Sequence, residues 1–129
     1  TRYILAQPFL GETAMALENR GARRVEAMFP FGAEGTTDWL AAAAREFGID
    51  EAHIARVLAP GRERANKALA KLRGELAGKR ITFLPDSQLE VPLARFLQNE
   101  LGMELVEVGT PYLHRAHLAR ELPHFSDAV

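Results

Sequence analysis

A short apolar strand, a helix and a second short strand follow one another at both ends of the sequence, and that order leaves few folds open. At the start, Tyr3-Ile4-Leu5-Ala6 is apolar and partly β-favouring, and Pro8 stops it. Gly11 to Arg20 reads as a helix with Ala14, Leu17 and Met15 turned inward, and Gly21 sits where a helix ends. Arg24 to Phe29 reads as the second strand, ended by Pro30. Two strands joined by one such helix pair in parallel through a right-handed crossover. The order recurs at Arg80 to Leu84, a helix to Leu101 stopped by Gly102, and the alternating strand Glu104 to Val108. The chain therefore reads as α/β: βαβ, a helical connector, βαβ.

The connector is expected to hold several helices. Thr36 or Thr37 is placed to cap one that runs through Trp39 to Phe47, with Asp38 in its first turn and Gly48 after it. Asp50 is placed to cap a short helix ending near Leu58, and Pro60 fits the first turn of a longer one ending near Ala77. Ala65, Leu69, Leu72 and Leu76 make one apolar stripe along it. Arg62, Arg64, Lys67, Lys71, Arg73, Lys79 and Arg80 form a basic stretch in which Glu63 and Glu75 are the only acids. It reads as the solvated face opposite the stripe, with a docking surface as the sharper alternative. A last short helix is expected from about Leu113 to Glu121, ended by Pro123, and Ser126 to Val129 carries no obvious terminal element. Thr1 stands directly at a strand, so the 129 residues are expected to be an excerpt of a longer chain.

Composition narrows the chemistry. The formal net charge is −1, which gives no global pull toward nucleic acid or membrane, and no aromatic residues interleave with the basic stretch. There is no cysteine, so no disulfide, cysteine-held zinc or cysteine-held iron–sulfur cluster is built by these residues alone. No apolar run approaches the ~20 residues that span a bilayer, and a cytoplasmic protein is expected.

The residues that could carry chemistry sit where strands hand over to helices, which is where open α/β sheets bind ligands. Ser87-x-x-Glu90 matches a capping box, yet Pro92 would then sit inside the helix. Either Ser87 caps the helix and Glu90 answers its amide, or the helix begins at Pro92 and residues 87–91 form a ligand-facing loop. His114 and His117 lie three apart, a spacing that can share a metal, but no third ligand is near them in sequence. Gln7 to Gly11 also ends a strand, but neither dinucleotide-binding nor P-loop glycine pattern occurs, and no catalytic triad spacing is recognisable.

Three stretches carry a resemblance: LAQPFLGETAMALENRGA, FPFGAEGTTDWLAAAAREFGI and FLPDSQLEVPLARFLQNELGMELVEVGTPYLHR. Together they resemble the N subunits of light-independent (dark-operative) protochlorophyllide reductases, a nitrogenase-like family, over nearly the whole chain. The PDSQLE and VEVGTPYLHR strings are specific; the P-F-G-x-x-G-T-T segment is shared more widely with nitrogenase-like proteins. The resemblance implies Rossmann-like domains, with residues 1–35 ending a first, residues 36–78 a helical connector and residues 79–129 starting a second. It implies a part in an ATP-dependent, ferredoxin-dependent oxidoreductase that reduces the ring D double bond of protochlorophyllide to chlorophyllide in bacteriochlorophyll biosynthesis, the segment alone being inactive. The implied partners are a B subunit, in an N2B2 heterotetramer, and a dimeric iron–sulfur L protein that hydrolyses ATP-Mg.

In that family a [4Fe–4S] cluster lies between N and B, on three cysteines of N and an aspartate of B. The absence of cysteine here departs from the pattern, and the implied cysteines belong N-terminal to residue 1. In nitrogenase the turn equivalent to Ser87-Gln88-Leu89-Glu90 approaches the large cofactor. By that likeness Asp86, Ser87, Gln88, Leu89 and Phe9 are expected to line the pigment cavity, with Phe31 nearby and no residue here catalytic or metal-binding. Nitrogenase has glycines at this turn and this sequence does not, so side chains would fill some of that space. The alternative is a nitrogenase-like scaffold that binds a tetrapyrrole or cofactor precursor without reducing it. Chlorophyllide reductase shares the architecture.

Overall fold

The computed structural model describes residues 1–125; the expectation for Ser126 to Val129 lies outside the described residues. The element order is β1 (Arg2–Ile4), α1 (Gly11–Asn19), β2 (Arg23–Val25), α2 (Gly32–Glu46), α3 (Glu51–Leu76), β3 (Arg80–Phe83), α4 (Glu90–Leu101), β4 (Glu104–Val108) and a single 3-10 turn at Leu122–His124. β1 pairs in parallel with β2, Tyr3 opposite Arg24, and β3 in parallel with β4, Ile81 opposite Leu105. Both βαβ units expected from the order of elements are present. The second ladder jumps a residue between Ile81 and Thr82, which pairs with Glu107 and leaves Val106 bulged.

β2 is shorter than expected because the backbone beyond Val25 finds side-chain partners in place of a strand. Met28 N–H donates to Asp38 Oδ2 at 2.8 Å, and Phe29 N–H donates to Glu121 Oε1 at 2.7 Å. Asp38 is therefore not a first-turn residue. The α2 helix begins at Gly32, four and five residues before the threonines expected to cap it, and the Phe31 side chain makes no cap. Its first amides are capped from elsewhere: Ala33 N–H donates to Glu100 Oε2 at 2.8 Å, and Glu34 N–H to Glu100 Oε1 at 3.1 Å. A carboxylate from a distant helix completes the donors that a local Ser or Thr usually satisfies.

Asp50 does cap α3, its Oδ1 accepting from His53 N–H at 2.9 Å. The expected break before Pro60 is absent, and Glu51–Leu76 is one 26-residue helix with Pro60 inside it. Pro60 and Arg56, whose carbonyl its ring opposes, are both exposed, so the helix can bend outward there without tearing a packed face. The Ala65/Leu69/Leu76 stripe is half-buried, while Leu72 stays 45% exposed. The basic stretch is exposed: Lys67 pairs with Glu63, Lys71 with Glu75, and Arg73 donates to the Glu100 carbonyl.

The expected helix from Leu113 to Glu121 is replaced by successive turns, tied by Leu118 N–H donating to His114 O at 3.0 Å. Leu118 and Glu121 are buried there, so this segment follows its anchoring side chains and not a helical period. The core gathers Leu5, Ala14, Phe29, Val91 and Leu118, with Tyr3, Leu10, Phe31 and Val108 packed against it. Among the described residues no helix is long and apolar enough to cross a membrane.

Candidate functional site at the β3–α4 turn

The turn from Pro85 to Leu89 leaves the carboxyl end of β3 and enters α4 at Glu90. The structure takes neither of the two sequence readings whole. Half of the capping box forms: Glu90 Oε1 accepts from Ser87 N–H at 2.6 Å, and also from Asp86 N–H at 2.7 Å. The other half does not, because Ser87 Oγ accepts from Leu89 N–H at 3.3 Å and leaves the helix amides uncapped. With Glu90 as the first helical residue, Pro92 is the third, where a missing N–H breaks no helix bond.

Asp86 and Ser87 are exposed, and Gln88 and Leu89 half-buried. Gln88 has φ 70°, and among the described residues no other non-glycine has positive φ. Such a backbone costs roughly 1–2 kcal/mol for an L-residue, and strain of this kind gathers where structure serves a ligand. Gly109, at the end of β4, lies directly beneath Pro85, so a side chain there would collide with the proline ring. The two strand ends are thereby held together. Leu84, Tyr112 and Leu113, which follow those same strands, are 79%, 64% and 48% exposed.

Glu90 itself is buried. Burial pushes its carboxyl up, but the N–H groups of Ser87, Glu90 and Asp86 and the neighbouring Thr110 hydroxyl outweigh that and hold it below the ordinary value. Phe9 is 43% exposed on the β1–α1 connection. That connection lies against the 114–117 segment: Gly11 faces both imidazoles, and His117 Nδ1 is 3.5 Å from the Pro8 carbonyl. Tyr112, His114 and His117 stack in sequence, with ring centroids 6.4 and 5.3 Å apart. His117 is shifted down, chiefly by burial, which keeps it neutral near pH 7. Among the described residues no group of three or more His, Cys, Asp or Glu stands together.

Sequence reasoning missed a second constellation. Arg95 is fully buried and ion-paired to the equally buried Glu121, Nε to Oε2 at 2.6 Å. Its other nitrogens donate to Glu34 Oε2 at 3.1 Å, the Phe29 carbonyl at 3.2 Å and the Phe31 carbonyl at 3.0 Å. A Cβ at Gly35 would collide with the Phe29 carbonyl and this guanidinium; one at Gly32, which has φ 70°, would collide with Glu100 and Phe96. The two glycines of P-F-G-x-x-G are thus explained by close packing against α4. The available signal was the position of Arg95 between Ala94 and Phe96 in a mostly apolar helix.

A cavity of about 660 Å³ between α2, α3 and α4 is lined by Phe31, Leu40, Leu58, Leu69 and Phe96, with Arg62 at its wall. Phe31 reaches it, while Asp86, Ser87, Gln88, Leu89 and Phe9 do not line it.

Comparison with known proteins agrees with this architecture. The family of nitrogenase component 1 type oxidoreductases matches residues 2–128. The chain is 68% identical over 122 residues to the light-independent protochlorophyllide reductase subunit N of Rhodospirillum rubrum, covering 95% of this chain and 28% of that relative. It is 68% identical over 123 residues to the subunit N of Bradyrhizobium sp. (strain ORS 278), covering 95% and 29%, and 65% identical over 122 residues to that of Rhodopseudomonas palustris (strain BisA53), again covering 95% and 29%. The chain spans less than a third of the length of these relatives.

Proposed function

Because the chain belongs to the nitrogenase component 1 type oxidoreductases, we propose that it is part of the N subunit of a light-independent protochlorophyllide reductase. The observation that carries this reading is the 62–68% identity to eight such subunits over 95% of the chain. In this reading the parent complex, N with B, reduces ring D of protochlorophyllide with electrons from the ATP-hydrolysing L protein. The division at residues 35 and 78 into the end of one domain, a helical connector and the start of another is part of the same proposal.

These residues do not fit a cluster site. The chain has no cysteine, and no group of three ligand-type side chains gathers among the described residues. The [4Fe–4S] cluster of the parent complex is therefore assigned to residues outside this chain. What the segment contributes is scaffold and one wall of the pigment cavity, formed by Asp86, Ser87, Gln88, Leu89 and Phe9. The strained Gln88 backbone and the exposed apolar side chains of Leu84, Tyr112 and Leu113 after the same strands support that assignment, since a pocket for a large pigment is mostly apolar with a few placed polar groups.

The test is an anaerobic assay of the full-length N subunit with its B subunit, L protein, ATP and a reductant. ATP-dependent conversion of protochlorophyllide is the expected result. Pigment binding without turnover would replace the reductase with a non-enzymatic scaffold. A full-length sequence with no cysteine N-terminal to this region would remove the cluster from the subunit and the reductase reading with it.

A further inference from the structure

The side chain that organises the β3–α4 turn is not one of the five residues assigned to the cavity wall. We propose that Glu90 is a positioning residue, whose carboxylate sets the backbone of the 86–89 turn so that Gln88 presents its side chain to the ligand. This rests on the reading of that turn as part of the pigment cavity.

Three observations carry it. First, the short hydrogen bonds of Glu90 reach backward, into the turn, and one oxygen holds two successive N–H groups, those of Asp86 and Ser87. A helix-terminus carboxylate favours the helix by charge and, in a capping box, reaches back to one N–H. Converging two neighbouring amides on one anion instead fixes the path of the backbone between them. Second, the residue that follows those amides is Gln88, in the left-handed region without being glycine. Its side-chain amide has no hydrogen-bond partner among the described residues, so no local bond offsets the strain. Third, Glu90 is only 4% exposed and its Oε2 is buried without a partner among the described residues. The neighbouring Thr110 hydroxyl, which donates to the Tyr112 carbonyl at 3.3 Å, helps to hold that carboxyl down. A buried anion with an idle oxygen is a costly way to build a helix start. It is a direct way to hold a turn and to tie it to the end of β4.

The experiment uses the full-length N subunit in its complex with B. Glu90→Ala, Glu90→Gln and Gln88→Gly are compared by KM and kcat for protochlorophyllide, by amide hydrogen exchange at Asp86 and Ser87, and by thermal midpoint. Glu90→Ala is expected to speed exchange at both amides and to raise KM about 10-fold with kcat little changed, the mark of binding lost equally from the ground and transition states. Glu90→Gln, whose carbonyl still accepts both amides, is expected to restore slow exchange and bring KM to within about 3-fold of wild type. Gln88→Gly is expected to raise the thermal midpoint by relieving the backbone while raising KM, a split that a purely structural turn would not produce. In an active complex, Glu90→Ala with wild-type exchange or wild-type KM overturns the positioning role. A wild-type complex that neither binds nor reduces the pigment overturns the functional reading itself, a failure distinct from the first.

Discussion

The 26-residue α3 buries one side chain, Ile54, whereas the 12-residue α4 buries seven, three of them charged. Length and influence run in opposite directions here. The α3 helix is held by its own cap at Asp50, by exposed pairs such as Lys67–Glu63, by its half-buried stripe and by Arg73 donating to the Glu100 carbonyl, and its charged pairs are local and individually small. The α4 helix reaches outward with Glu90 to the turn before it, Arg95 to the β2–α2 loop and Glu121, and Glu100 to the first amides of α2. A charge brought out of water must be matched group by group, so each of these side chains specifies a particular piece of backbone. An exposed charge specifies almost nothing.

Substitutions can break that contrast, and the largest effect belongs to the buried pair. Arg95→Ala, which strands the Glu121 carboxylate in the core, is expected to cost about 3–5 kcal/mol in a denaturant titration of the full-length protein. A cost near that of a surface change would mean that α4 is no more of an anchor than α3. Next comes Gly35→Ala, whose added methyl group must displace both the Phe29 carbonyl and the guanidinium, for about 1–3 kcal/mol by the same titration.

The Glu90 contribution is read by pH. Its folded carboxyl is held down, so its stabilisation is present above the unfolded value of about 4.3 and lost as pH falls through the folded one. The thermal midpoint of wild type should therefore fall more steeply below that pH than that of Glu90→Gln, and parallel curves would sink the assignment. Smallest is Lys67→Ala on α3, expected to shift stability by no more than about 0.5 kcal/mol; a larger loss would promote α3 from connector to structural determinant.

The same contrast explains what the sequence made legible. Parallel βαβ units could be read because strand, helix and glycine or proline stop are encoded by neighbours, as in Arg80 to Val108. The Asp50 cap was legible for the same reason, its partner lying three residues away. The start of α2 was not, since its cap is Glu100, 67 residues from Ala33. Nor was the end of β2, whose amides are taken by Asp38 and Glu121. The continuity of α3 was hidden because Pro60 reads as a boundary in isolation and only exposure of its face permits it inside. At the candidate site the S-x-x-E spacing located the turn and half of its bonding. It could not reveal that Glu90 would take two amides of the turn while the Ser87 hydroxyl took Leu89 N–H.

Glu90, Arg95 and Glu100 lie five residues apart along α4. At 3.6 residues per turn each successive anchor points about 140° around the axis from the last. The helix is therefore bolted to its surroundings in three directions and cannot roll as a cylinder without unfastening one of them. The turn before Glu90 and the first amides of α2 are thereby fastened to the two ends of one rod, some 15 Å apart at 1.5 Å per residue.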